Sequence, residues 1–258
     1  MGIVNVTPDS FSDGGRFLDA QDAVAHARRL IAEGADILDI GGESSRPGAL
    51  PVPAEQELAR VLAVVEALRD AAVPISVDTS KPAVMRAVLA AGASMINDIC
   101  AFESEGAVAA VAASDCAVCM MHKQNDPATM QRAPHYDDVV GEVKAYLEKR
   151  AAALKLAGIA TSRMVVDPGF GFGKTVAHNF ELLRELAQFR GIGAAVLAGW
   201  SRKSTLGTVT GRPADARIHG SVAAALLAVE RGADVVRVHD VAATRDALAV
   251  YLAMRDTH

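Results

Sequence analysis

The stretch PISVDTSKPAVMRAVLAAGASMIND, residues 74–98, contains the pattern from which the fold is predicted. It opens with a short apolar run, Pro74–Val77, and after a polar turn it continues as an amphipathic helix over Pro82–Ala91. Gly92 follows the last helical turn, where glycine readily takes the left-handed conformation that ends a helix. The next apolar run is Ser94–Ile99. Short apolar runs bounded by turn residues are typical of strands that are buried on both faces, and therefore of a parallel sheet.

The same unit repeats along the whole chain of 258 residues. We predict eight strands, at Gly2–Val6, Asp36–Ile40, Pro74–Val77, Ser94–Ile99, Ala117–Met121, Met164–Asp167, Ala194–Ala198 and Asp234–Val238. Helical patterns cover Gln21–Glu33, Ala54–Ala71, Pro82–Ala91, Asp138–Leu156, Val176–Phe189, Asp215–Arg231 and Val241–Arg255. Alternation alone would also fit a doubly wound open sheet, but the count of eight favours an α/β fold with a single (β/α)8 TIM barrel, formed by one domain over residues 1–258.

Composition and charge exclude several classes of protein. The chain is 51% hydrophobic with a net charge of −5, which argues against disorder and against a sequence-independent nucleic-acid binder. No apolar run reaches the length of about 18 residues that a membrane span needs. The N-terminal residues lack the basic region and cleavage site of a signal peptide, and three cysteines do not make a disulfide framework. We therefore expect a cytoplasmic protein.

Polar side chains collect where the predicted strands end. In a barrel of this kind, the carboxyl ends of the strands form the edge that carries the chemistry. One group suits the edge of a flat heterocycle that needs alternating donors and acceptors: Asp78, Asn97, Asp98, Asp167 and Lys203. A second group supplies cations for an anion such as phosphate or pyrophosphate: Arg46, Arg202, Arg237 and His239. Each acid or amide alone would also be explained by helix capping or ion pairing, but their convergence on one edge favours a binding site.

Two motifs that suggest other chemistry fail on inspection. Pro168 stands where the phosphate-binding loop pattern requires its first glycine. Cys116 and Cys119 have the spacing of a redox or zinc motif, but three positions along a strand place the two thiols on opposite faces. We therefore interpret both cysteines as core residues.

Several segments resemble one enzyme family. Asn5–Gly15 (NVTPDSFSDGG) and Asp39–Gly48 (DIGGESSRPG) are similar to the paired signatures of bacterial dihydropteroate synthases. Asp167–Lys174, Ser201–Ser204 and Arg237–Asp240 resemble the later motifs of that family and occur in the same order. The resemblance covers essentially the full chain. It implies a (β/α)8 barrel that joins 6-hydroxymethyl-7,8-dihydropterin pyrophosphate to 4-aminobenzoate, giving 7,8-dihydropteroate and pyrophosphate, with Mg²⁺ present.

The resemblance also implies a role for individual residues. It assigns the catalytic residues as Asp78, Asp167 and Lys203. The residues implied to bind the pterin are Asp78, Asn97, Met121, Asp167, Lys203 and Arg237. Those implied for pyrophosphate are Asn5, Ser45, Arg46, Arg237 and His239, with Asn5 also binding the Mg²⁺. Those implied for 4-aminobenzoate are Phe11, Pro47, Phe172, Lys203 and Ser204.

Further expectations follow from the same resemblance. The loops Thr7–Phe17 and Ser44–Pro51 are expected to close over the substrates and exclude water. Sulfonamides are expected to compete with 4-aminobenzoate, and the last helices, including Ser221–Val229 and Val241–Met254, are candidates for a homodimer surface.

Two other functions remain open from the sequence. A pterin-binding methyltransferase domain shares the barrel and the pterin-edge residues, but it has no need of the pyrophosphate loops or of the Ser201–Ser204 segment. A paralogue that binds pterin without turnover would typically have lost a residue of the anion site or of the loops, whereas Asn5, Arg46, Lys203, Arg237 and His239 are all present.

Overall fold

The eight predicted strands are all present and form one parallel sheet in chain order. A computed structural model describes residues 1–6, 16–44, 48–126 and 129–255. The strands are β1 (Gly2–Asn5), β2 (Leu38–Gly41), β3 (Ile75–Asp78), β4 (Met95–Asp98), β5 (Ala117–Met121), β6 (Met164–Asp167), β7 (Ala195–Ala198) and β8 (Val235–Val236). The sheet closes on itself, because Ile3 N donates to Val238 O at 3.0 Å and Val238 N donates to Met1 O at 2.9 Å. The predicted barrel is therefore confirmed.

Helices connect the strands and cover the outside of the sheet. They are α1 (Arg16–Ala32), α2 (Ala54–Ala67), α3 (Pro82–Ala91), α4 (Ala107–Ala112), α5 (Val139–Leu156), α6 (Val176–Arg184), α7 (Ser204–Thr210), α8 (Ile218–Glu230) and α9 (Val241–Arg255). Three short 3₁₀ turns lie at Thr161–Arg163, Leu186–Phe189 and Ala214–Ala216. Among the described residues, we find no helix with the combination of length and apolar character that crossing a membrane requires.

Alternate strand residues face two different cores. Leu38 and Ile40 pack towards the helices in the larger apolar cluster, as do Val118 and Met120. The barrel interior holds a smaller cluster that includes Met95, Cys119 and Leu197. Cys116 belongs to the outer cluster and Cys119 to the inner one, which confirms that both are core residues on opposite faces of β5. Since the inner apolar layer fills the lower part of the barrel, the polar residues are left at its carboxyl end.

Two helices were missing from the sequence prediction, and several others begin or end at different residues: α1 begins at Arg16 and not at Gln21, and α2 ends at Ala67 and not at Ala71. α4 has six residues of alanine and valine only and α7 has seven, so neither is long enough to show an apolar stripe with helical period. The pattern predicted over Val176–Phe189 divides into α6, which ends at Arg184, and a 3₁₀ turn. The helix predicted from Asp215 begins at Ile218, after another 3₁₀ turn.

Candidate active site

Strand pairing places the predicted site residues at the carboxyl ends of neighbouring strands. Asn5 lies beside Gly41, Gly41 beside Asp78, and Asp78 beside Asn97. Met121 and Asp167 are paired in the same way on β5 and β6. These are all strand-end positions, where side chains of alternating residues enter the mouth of the barrel. The sequence prediction that these residues share one edge is confirmed.

Arg237, which directly follows β8, binds two of the acidic side chains in the mouth of the barrel. Arg237 donates through Nε to Asp39 Oδ2 at 2.5 Å and through Nη2 to Asp78 Oδ2 at 3.0 Å. Asn97 Nδ2 donates to the same Asp39 oxygen at 3.1 Å. Asp39 is fully buried, so its charge depends on these donors. Asp39 is therefore the anchor that orients two of the predicted pterin-binding side chains.

Burial and neighbouring charge set the protonation of this group. Burial raises the pKa of Asp78 to about 7, although the charge of Arg237 acts in the opposite direction. Burial alone would lower the pKa of Arg237, but the charges of Asp39 and Asp78 raise it above its ordinary value. Arg237 therefore stays cationic, while Asp78 gains and loses its proton near neutral pH.

Asp167 fixes the loop that follows β6. Its Oδ1 accepts a hydrogen bond from Gly169 N at 2.7 Å, and burial raises the pKa of the carboxyl while the charge of Lys203 lowers it. Gly169 has φ +73°, and a Cβ there would lie 1.9 Å from His122 O. Only glycine fits at this point, which explains why the loop can pass so close to the end of β5.

Lys203 lies between Asp167 and the same loop. Its Nζ donates to Phe170 O and lies 4.4 Å from the centre of the Phe172 ring. Burial lowers the pKa of Lys203 to about 8, against the opposing effect of Asp167. Ser204 is exposed at the first position of α7, as expected of a residue at a helix start. Lys203 and Phe172 are thus in contact on one side of the mouth, and Ser204 follows Lys203 directly in the chain.

His239 and Arg202 lie on the β7 and β8 side and have different surroundings. His239 Nδ1 lies 2.9 Å from Ser201 Oγ, and the backbone N of His239 also donates to that hydroxyl at 3.1 Å. Arg202, which we expected to supply a cation for an anion, instead forms a two-point ion pair with Asp240, at 2.6 and 3.2 Å. The guanidinium of Arg202 is therefore already paired with a carboxylate, as that of Arg237 is with Asp39 and Asp78.

Asp98 does not join the heterocycle group. Its two oxygens accept from Cys100 N and Phe102 N, each at 2.8 Å, so the carboxylate caps the turn after β4. Four other predicted residues lie outside the described residues: Phe11, Ser45, Arg46 and Pro47. The expected closure of the loops Thr7–Phe17 and Ser44–Pro51 falls largely there as well.

The β6–α6 loop is supported by residues that sequence reasoning missed. Asn179 Oδ1 accepts from Gly171 N at 2.6 Å, and Tyr136 Oη donates to Gly173 O at 2.9 Å. The ammonium of Lys174 is buried and lies 3.0 Å from His122 Nδ1 and 3.0 Å from Phe172 O. Burial lowers the pKa of Lys174 and takes that of His122 to about 3, so the histidine is neutral at physiological pH. These contacts hold Phe172 in place beside Lys203.

The mouth can bind a group with several N–H donors along one edge. Asp78, Asn97 and Asp167 offer acceptors there, Lys203 offers a donor, and Met121 contributes a buried apolar side chain at the end of β5. Within the described ranges, no three histidine, cysteine or acidic side chains cluster as a metal site would require.

Comparisons with known proteins agree with this geometry. The pterin-binding enzyme family matches residues 1–239. A dihydropteroate synthase of Neisseria meningitidis serogroup B is 53% identical over 261 residues, which cover 98% of this chain and 92% of that protein. The structure of Xanthomonas albilineans dihydropteroate synthase with 4-aminobenzoic acid is 55% identical, with a TM-score of 0.95 over 100% of this chain and 93% of that one. A Yersinia pestis dihydropteroate synthase in complex with a sulfonamide drug is 45% identical, with a TM-score of 0.94 over 99% and 94%.

Proposed function

Because this chain belongs to the dihydropteroate synthase family of pterin-binding enzymes, we propose that it condenses 6-hydroxymethyl-7,8-dihydropterin pyrophosphate with 4-aminobenzoate. The products are 7,8-dihydropteroate and pyrophosphate. The observation that carries the proposal is the alignment of Asp78, Asn97 and Asp167 beside Lys203 at the mouth of the barrel. Such an alignment matches the donors and acceptors along the edge of a pterin.

The pterin would lie in the mouth with its edge towards the acids. The carboxylates of Asp78 and Asp167 accept hydrogen bonds from its ring and exocyclic N–H groups, Asn97 pairs with a further edge atom, and Lys203 donates to an acceptor. Met121 covers one face, and Arg237 stacks on the other. Because Arg237 is already held by Asp39 and Asp78, its plane is set before the substrate arrives.

The reaction breaks the bond between the pterin methylene carbon and the pyrophosphate oxygen. The electron pair leaves with pyrophosphate, and the resulting cation is shared between the methylene group and the pterin ring. Asp78 and Asp167 stabilise this developing charge without reorganising, since each is already oriented by a hydrogen bond, Asp78 by Arg237 and the buried Asp167 by Gly169 N. The amine nitrogen of 4-aminobenzoate then forms the new carbon–nitrogen bond and loses a proton. No covalent bond to the protein is needed.

Pyrophosphate and Mg²⁺ would bind beside the pterin. Arg46, Arg237, His239 and Ser45 are the proposed pyrophosphate ligands. A Cβ built on Gly41 would lie 4.0 Å from both Asn5 Oδ1 and Asp78 Oδ2, so the missing side chain leaves a space that faces two oxygens. Oxygen ligands of this kind suit Mg²⁺, which prefers few protein ligands together with phosphate oxygens. We propose that Asn5 binds the ion, which would help to neutralise the leaving group.

The amine would enter past the β6–α6 loop. Phe172 and Pro47 would contact the ring of 4-aminobenzoate, Phe11 would close the site, and Ser204 and Lys203 would receive its carboxylate. Phe172 and Lys203 are already in contact, which fits a pocket that combines an apolar wall with a cation. Sulfonamides present a similar aryl amine and should occupy the same place.

Product formation tests the proposed function. The protein is incubated with the dihydropterin pyrophosphate, 4-aminobenzoate and Mg²⁺, and 7,8-dihydropteroate is measured by chromatography. The proposal requires product, and a sulfonamide should raise the KM for 4-aminobenzoate without lowering kcat. A chain that binds the pterin but forms no product would instead be a paralogue without turnover.

The pH dependence of kcat/KM should be bell-shaped. Activity should rise with pH through about 7, where Asp78 becomes ionised, and it should fall above about 8, where Lys203 loses its charge. Asp78→Asn should remove the rise, and Lys203→Arg should move the fall to higher pH. A wild-type profile that is flat from about pH 6 to about pH 9 would contradict this assignment.

We also propose that the protein forms a homodimer through α8 and α9. These two helices carry exposed apolar side chains at Leu227, Val250 and Leu252. Light scattering coupled to size exclusion should therefore give twice the chain mass. The double variant Val250→Glu, Leu252→Glu should be monomeric, whereas Leu156→Glu, at an exposed position at the end of α5, should not change the mass. A monomeric wild-type protein would contradict the proposal.

A further inference from the structure

Three charged residues from separate parts of the chain meet at the two ends of the β2–α2 connection. Lys81, the residue before α3, donates through Nζ to Glu43 Oε2 and to Glu57 Oε2. Glu43 lies two residues beyond β2, and Glu57 lies in the first turn of α2. We call these three residues the Lys81 cluster. It links the β3–α3 connection to both ends of the β2–α2 connection.

The cluster also sets the span of the β2–α2 connection. The second oxygen of Glu43, Oε1, accepts a hydrogen bond from Val52 N at 3.0 Å, so one carboxylate joins two points that are nine residues apart. Ser45, Arg46 and Pro47 lie between those points in the chain. Any change in the position of Glu43 is therefore transmitted to both ends of the segment that contains them.

The start of the connection has little freedom to compensate. Arg60 Nη1 donates to Gly42 O at 2.7 Å, and a Cβ on Gly42 would lie 2.8 Å from Val61 Cγ1 and 3.1 Å from Glu57 O. The backbone at residue 42 is thus pressed against α2, and the chain direction at Glu43 is fixed. Among the described residues, the carboxylate of Glu43 is held by hydrogen bonds from Lys81 and Val52.

The charges make Lys81 the member on which the other two depend. Glu57 is fully buried, and burial raises the pKa of its carboxyl. Burial alone would lower the pKa of Lys81, but hydrogen bonds to Glu43 and Glu57 raise it above its ordinary value. Without the ammonium, two carboxylates would face each other with one of them shielded from water, and they would separate or take up a proton.

We infer that Lys81 is a positioning residue that acts through Glu43 on the segment carrying Ser45, Arg46 and Pro47. This inference rests on the proposed function, in which those residues bind pyrophosphate and 4-aminobenzoate. Lys81 contacts neither substrate. It controls affinity for the pyrophosphate group while the pterin edge, bound by Asp78, Asn97 and Asp167, is left unchanged.

The test compares Lys81→Met with wild type and with Lys149→Met, a change at an exposed lysine on α5. Lys81→Met should raise the KM for the pterin pyrophosphate and the inhibition constant of inorganic pyrophosphate at least about tenfold, as expected for displaced binding groups. Affinity for a dihydropterin without phosphate should change less than about twofold. Lys81→Arg, which keeps the cation, should recover part of the loss, and Lys149→Met should match wild type.

A second measurement is independent of turnover. Amide hydrogen exchange at Val52 should be faster in Lys81→Met than in wild type, because the acceptor of its hydrogen bond is no longer held.

If Lys81→Met does not fold, Glu43→Gln replaces it, since the amide keeps an acceptor for Val52 but loses the charge that binds Lys81. Equal losses of pterin and pyrophosphate affinity, or unchanged exchange at Val52, would overturn the inference. A wild-type protein that forms no dihydropteroate would refute the proposed function, whereas the exchange measurement would still decide the role of Lys81.

Discussion

Replacing Lys203 with methionine is expected to lower kcat/KM by on the order of 10³-fold while the protein still folds. Lys203 lies near Asp167 in the mouth of the barrel, and it contacts Phe170 O and the ring of Phe172. It is therefore the one residue proposed to touch both substrates. Methionine keeps most of the side-chain volume and the apolar contact with Phe172, so the loss reports the ammonium group. The measurement is the steady-state rate with each substrate varied in turn.

Lys149→Met is the matched control, since it removes the same charge from an exposed position on α5. The thermal unfolding midpoint of Lys203→Met should lie close to that of wild type, because Lys203 precedes α7 in a connection and is not part of the apolar clusters. A folded Lys203→Met variant with near-wild-type activity would remove Lys203 from the site and would refute the proposed positions of both substrates.

The largest effect on stability is expected at Asp39. Asp39→Asn should lower the free energy of unfolding by about 3 kcal/mol, because it takes the charge from a fully buried carboxylate that binds Arg237 and Asn97. Arg237 would keep only Asp78 as a charged partner. The change should also lower activity, since the guanidinium plane would no longer be fixed from two sides. Urea unfolding measures the first effect, and steady-state kinetics measures the second.

Asp36→Asn provides a comparison at the protein surface. Asp36 is paired with Arg245 at 3.2 Å, and both side chains are more than half exposed. Solvent-exposed pairs of this kind contribute less than about 1 kcal/mol, so the variant should unfold almost as wild type does. Equal destabilisation by the two substitutions would mean that the buried network around Arg237 is not what stabilises the mouth of the barrel.

Much of the architecture could be predicted because the sequence repeats one pattern. Pro82–Ala91 begins with a proline and ends before Gly92, and the helix occupies the predicted residues without change. α4 was missed because six small apolar residues carry no periodic signal. Tertiary packing, and not a local pattern, makes that segment helical.

The site was predictable only where polar residues lie at the carboxyl end of an apolar strand. Asp78, Asn97 and Asp167 met that condition, and the structure places them at one edge. Asp39 lies inside β2 between Leu38 and Ile40, two residues before the strand ends. A carboxylate at such a position is costly unless it is paired, and this was the signal that could have identified it. Its partner Arg237 lies 198 residues later in the chain, so a local sequence pattern could not have identified the pair.

Simultaneous measurement of pyrophosphate release and dihydropteroate formation tests the central claim most directly. The protein is supplied with the dihydropterin pyrophosphate and Mg²⁺, with and without 4-aminobenzoate. We expect release that depends on the amine, with one dihydropteroate formed for each pyrophosphate, because the proposed closure of the loops over the substrates would keep water from the cation. Pterin binding without release under either condition would contradict the account and would identify a pterin-binding protein that has no synthase activity.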